Sequence, residues 1–128
     1  MPKSTITSPR LAPSRGIFGH GTRAGNMVFV SGQVAFDSQQ QIVGVGDIKA
    51  QTRQVLENIK AVLDEAGATF DDIVKVTVFI TDMGHFPQIH EVRAQYFTGD
   101  FPASTMVEVR ALAHPDLLIE MEAIAVVS

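Results

Sequence analysis

Two glutamates near the end of the chain are the side chains best placed to do chemistry. The stretch Leu117-Leu118-Ile119-Glu120-Met121-Glu122-Ala123-Ile124-Ala125-Val126-Val127 is apolar on both alternations except at Glu120 and Glu122. If it is a strand, the two carboxylates share one face, roughly 7 Å apart by the rise per residue. Burying an unpaired carboxylate is costly, which leaves two arrangements. Either both acids lie at a solvated edge or pair with Lys75, Arg93 or Arg110, or one lies in a pocket. In a pocket, desolvation and the neighbouring charge would raise its pKa and fit it to handle a proton or orient a water.

Other chemistries lose support. The four histidines, His20, His85, His90 and His114, form no H-x-H, H-x₃-H or H-E-x-x-H pattern, and His85 and His90 do not share a helix face, so no metal site is expected. The chain has no G-x-x-x-x-G-K-[ST], no G-x-G-x-x-G after a strand and no G-x-S-x-G elbow, which argues against nucleotide binding and serine hydrolysis. With no cysteine there is no disulfide framework, thiolate site or thiol nucleophile.

The elements that must position the glutamates read as β-β-α-β-α-β-β, an α+β pattern in one domain spanning residues 1–128. Met27–Ser31 alternates Val28 and Val30 against Met27, Phe29 and Ser31, between Gly25-Asn26 and Gly32. Residues 36–43 look like a polar hairpin tip. From Asp47 as N-cap to Gly67 as C′ glycine runs the strongest helix, its Ile48, Val55, Leu56, Ile59, Val62, Leu63 and Ala66 keeping a 3–4 spacing. Ile73–Ile80 is a β-branched strand, Phe86–Phe97 a second amphipathic helix, and Thr105–Val109 and Leu118–Val127 complete the sheet as a C-terminal hairpin turning at His114-Pro115-Asp116. A mixed sheet with both helices on one face is the natural packing.

Composition points to a second copy. Charged residues make up 19% of the 128 and the mean hydropathy is +0.16, against about 25% charge in ordinary domains, so part of the surface is expected to be covered in a homo-oligomer. The net charge of −4 hides an asymmetry, since residues 1–36 hold Lys3, Arg10, Arg15 and Arg23 and no acid. That third is suited to hold a small anion. With pI 5.4, no Trp and no basic stripe interleaved with aromatics, nucleic acid is not an expected partner. No apolar run approaches the ~18 residues of a membrane span, and the first residues lack a secretory h-region. A soluble, cytoplasmic protein is the expectation.

Several segments together resemble the RidA family, also called YjgF or L-PSP. They are Gly25–Gln33, Gln51–Lys60 with Ala66-Gly67, Val74–Ile80, Phe101–Val109 and Leu118–Ala125, in matching order over essentially the whole chain. The resemblance implies a chorismate-mutase-like fold assembled as a homotrimer, with pockets at the subunit interfaces. It also implies hydrolysis of reactive enamines of the 2-aminoacrylate type and of 2-imino acids to 2-oxo acids and ammonia, with no metal or cofactor. By position, Glu120 would orient the water, Ser31 and Gly32 would line the pocket, and main-chain groups near Met106 would help. Some members were described as ribonucleases, a reading that the acidic pI and the missing histidine pair disfavour.

Two positions depart from the imine-hydrolysing pattern. Where its Pro-Ala-Arg-[Ser/Thr] motif has the arginine that grips the substrate carboxylate, this chain has Ser104; where its Gly-Pro-Tyr-Ser-Gln-Gly places a tyrosine, this chain reads Gly16-Ile17-Phe18-Gly19-His20-Gly21. Losing a bidentate cation from a desolvated site weakens carboxylate binding strongly. Arg15, Arg23, His20 and Arg110 are the candidate replacements. The alternative is a trimer that binds a small metabolite without turning it over.

Overall fold

The computed structural model describes residues 2–128. Its strands are β1 (Ser4–Ile6), β2 (Gly21–Ala24), β3 (Met27–Gln33), β4 (Ile73–Ile80), β5 (Ala103–Glu108) and β6 (Ile119–Val126), and its helices α1 (Ile48–Ala66) and α2 (Phe86–Arg93). They form one mixed sheet of order β1-β2-β3-β6-β4-β5, antiparallel throughout except for the parallel pair β4 and β5.

Helix α1 begins and ends where its caps dictate. The Asp47 carboxylate accepts the Ala50 N–H at 3.1 Å, and Gly67 closes the last turn at φ 71°, a left-handed conformation that glycine adopts without a Cβ penalty. Its buried stripe of Val55, Leu56, Ile59, Val62 and Leu63 packs on the sheet with Val28, Val30, Val76, Val78, Ile119, Met121 and Ala123. Both helices lie on this face. Burial along β6 alternates strictly, so Ile119, Met121, Ala123 and Ala125 enter the core while Glu120, Glu122, Ile124 and Val126 face the other way.

Three expectations are corrected. The C-terminal hairpin does not form. Because α2 intervenes between β4 and β5, the chain returns in the same direction and β5 pairs parallel to β4 at the sheet edge; residues 109–118 then carry the chain back so that β6 slots between β3 and β4. A strand apolar on both faces fits that central place. The N-terminal hairpin is β2 and β3 around Gly25-Asn26, with Gly25 at φ 60°, whereas residues 36–43 form a turn closed by one bridge between Phe36 and Ile42. Helix α2 stops at Arg93, and residues 94–97 continue as turns that still bury Phe97.

Candidate functional site

Glu120 sits at the end of the sheet where β3 and β6 lose register. Between Val30 and Gln33 the ladder shifts, and this irregularity brings the Gly32 backbone against the Glu120 side chain. A Cβ at Gly32 would lie 2.8 Å from the Glu120 carboxyl carbon, so only glycine leaves the acid where it is. Segment 11–20 folds over this end of β3. The Ser31 N–H donates to the His20 carbonyl at 2.9 Å, and Ser31 Oγ donates to the Gly19 carbonyl. His20 ties the segment down with both ring nitrogens: Nε2 donates to the Ala12 carbonyl at 2.7 Å, and Nδ1 accepts from Gln33 Nε2 at 3.2 Å. The Phe18 ring stands edge-on to His20 at 5.9 Å.

Together these residues enclose a pocket of about 380 Å³, lined by Arg15, Phe18, His20, Ser31, Gly32 and Glu120 among others. Neither glutamate has an ion-pair partner among the described residues. Burial, and secondarily the charge of Glu122, push the Glu120 carboxyl above its ordinary value of 4.5. An unpaired, half-desolvated carboxylate beside a hydroxyl and a Cβ-free backbone can accept a proton or hold a water.

The remaining candidates lie elsewhere. Ser104 and Met106 pair in register with Val76 and Val78, whose side chains are in the core, so they stand on the helix face of the sheet while Glu120 stands on the opposite face. The Ser104 hydroxyl accepts from Arg93 Nη2 of α2 at 3.0 Å. Arg23 is engaged by the Gly25 and Ala66 carbonyls at 3.0 and 3.1 Å, and Arg110 is exposed and does not line the pocket. Of the proposed cations, Arg15 and His20 are therefore the two at the pocket. The described residues contain no group of three or more His, Asp or Glu side chains that could hold a metal ion, and no helix among them is long and apolar enough to cross a membrane.

Two amides that shape the site were not singled out from the sequence. Buried Asn58 on α1 donates to the Val34 and Phe36 carbonyls at 3.0 and 2.9 Å, fixing the wall beyond β3, and buried Gln33 supports His20. Their signal is an amide at an otherwise apolar position, visible once α1 and β3 have defined faces.

A mixed sheet with helices on one side, holding an unpaired carboxylate against a serine-glycine pair at its end, defines a YjgF-like α+β domain. The family model described as Endoribonuclease L-PSP matches residues 9–127. A RutC family protein of Pyrococcus abyssi is 44% identical over 125 residues, 98% of each chain. Among solved structures, YyfA of the Rid family from Yersinia pestis superimposes with a TM-score of 0.93 at 40% identity, covering 98% of this chain and 100% of that one. TdcF from E. coli, solved with bound serine, gives 0.90 at 39% identity, covering 98% and 99%. The chain belongs to the RidA/YjgF (L-PSP) family.

Proposed function

We propose that this protein is a deaminase of reactive enamines and 2-imino acids, acting in the cytoplasm as a homotrimer with its pockets at subunit interfaces. The observation that carries the reading is Glu120, half-buried, without an ionic partner and adjoining Ser31 and Gly32. An enamine of the 2-aminoacrylate type gains a proton at its terminal carbon and becomes the iminium ion, the protonated form of the imine. Glu120 accepts a hydrogen bond from a water and takes its proton as the oxygen adds to the imine carbon. That carbon already has the electrophilicity required. The carbinolamine nitrogen is protonated, the C–N bond breaks to release ammonia, and the second proton of the water leaves as the carbonyl forms, giving the 2-oxo acid. The step consumes one water and needs no redox partner, so orientation supplies much of its acceleration. The family relative solved with bound serine supports a ligand of amino-acid size and charge.

Phe18 and Ser104, where the imine-hydrolysing pattern has tyrosine and arginine, favour a shifted substrate or a second reading, a trimer that binds a small metabolite without turnover. Ammonia release from 2-aminoacrylate, generated in situ, separates the two. Turnover that disappears in Glu120→Gln is expected; saturable binding with no ammonia from a panel of enamines and imines would leave only the binding role.

A further inference from the structure

Arg93 is an unexplained cation. It ends α2, and only part of its guanidinium is occupied: Nη2 donates to Ser104 Oγ at 3.0 Å, the charged carbon sits 5.7 Å from the Phe97 ring centre, and Nε is buried without a partner. No carboxylate pairs with it among the described residues. Burial lowers its pKa from the ordinary arginine value, and a guanidinium stays charged at neutral pH. A guanidinium has five donors; this one is partly desolvated, held in place by Ser104 and Phe97, and has donors to spare. It lines a cleft of about 250 Å³ between α2 and β5, walled by His90, Phe97, Phe101, Pro102 and Ser104.

We infer that Arg93, with the Ser104 hydroxyl beside it, is the carboxylate-binding group of the ligand site, and that a second copy of the chain brings it to Glu120. One positive charge in a small, apolar-walled cleft matches a monoanion such as a 2-oxo or 2-imino carboxylate rather than a phosphate ester. Helix α2 thus supplies the guanidinium next to the strand position occupied by Ser104. Arg93 and Ser104 face the helices, whereas Glu120 faces the opposite side of the same sheet. Within one copy they cannot grip one small molecule, so the site is complete only between copies. The inference rests on the proposed function for the identity of the ligand, but its test reads binding as well as turnover.

The probe is 2-oxobutanoate, titrated by calorimetry, with its uncharged amide as the control. Arg93→Met keeps an apolar stem over Phe97 and is expected to weaken the carboxylate about thirtyfold, the size of a lost charged hydrogen-bonding partner, while the amide binds as to wild type. Arg93→Met/Ser104→Arg, which returns a guanidinium from the strand, should recover most of the affinity. Unchanged carboxylate affinity in Arg93→Met, equal loss of acid and amide, or loss confined to Arg15→Met would each overturn the assignment. So would wild type that does not bind 2-oxobutanoate. Selective loss in Arg93→Met from a wild type that hydrolyses no imine would sustain the carboxylate site and reject the deaminase; turnover indifferent to Arg93 would do the reverse.

Discussion

Glu120 holds its place because Gly32 yields it the room, and the two residues give separable predictions. In Gly32→Ala the new methyl group must displace the carboxyl group, and a shift of ~1 Å in a reacting group costs about a hundredfold in rate. We expect kcat to fall by that order while the far-ultraviolet circular dichroism is unchanged. Because burial and the Glu122 charge raise the folded pKa of Glu120 above 4.5, the folded state binds a proton more readily than the unfolded chain. Its contribution to stability is fully present below the unfolded pKa and is lost as pH rises through the folded one. A thermal-unfolding series across that window should therefore show wild type losing stability relative to Glu120→Gln as pH rises. Turnover should move oppositely, with an acid limb above the ordinary carboxylate range, since the base works only when ionised. An acid limb at or below 4.5 would remove Glu120 from the role of base.

At the scale of elements, α1 does more than fill the core. Gln51, fully buried, donates through Nε2 to the Gly44 and Asp116 carbonyls at 3.1 and 2.8 Å and accepts the Leu118 N–H through Oε1 at 2.8 Å. One side chain thus fastens the loop before α1 to the loop before β6, and it sets where β6, the strand of Glu120, begins. Gln51→Leu leaves the Asp116 carbonyl and the Leu118 N–H without partners, while the Gly44 carbonyl keeps the Asp47 N–H at 2.9 Å, at about 1–3 kcal/mol for each orphaned group that water does not reach. We expect a loss of about 3 kcal/mol in urea denaturation, against about 1 kcal/mol for removing the helix cap in Asp47→Ala. Helix α1 was legible in the sequence from cap to cap because every signal there is local: an acid at the start, a glycine at the end and a 3–4 apolar spacing between. That Glu120 and Glu122 share one face was equally legible, because alternation fixes sides, whereas what that face meets was not. Strand order was not, since the placement of β6 between β3 and β4 depends on contacts among residues far apart in the chain. Gln51 and Asn58 stayed hidden for the same reason: an amide on a helix has no local feature that tells a solvent-facing role from a staple.

For the whole molecule, the question is what covers the sheet face opposite the helices. That face carries Met27, Phe29, Ile124 and Val126, with Met27 and Phe29 still 39% and 38% exposed, beside Lys75, Thr77, Thr105 and Glu122. Lys75 reaches the Thr105 hydroxyl at 2.9 Å, so these two polar members satisfy each other while the apolar ones stay uncovered. The low charge of the composition is thereby placed: β3 exposes apolar side chains on this face, with the half-buried Ile124 and Val126 of β6 beside them. A homotrimer around this face would bury them and would also bring the Glu120 pocket of one copy toward the Arg93 cleft of the next, which a single sheet holds on opposite sides. Assembly and ligand binding are then one property. Phe29→Asp places a charge in the covered face at the cost of an unpaired buried carboxylate, and light scattering should show the mass falling from three chains to one. The monomer keeps all residues of both half-sites, so it should retain its helical circular dichroism yet lose affinity for 2-oxobutanoate. A monomeric Phe29→Asp that binds the acid as tightly as wild type would mean that one copy suffices, and the shared site would have to be abandoned.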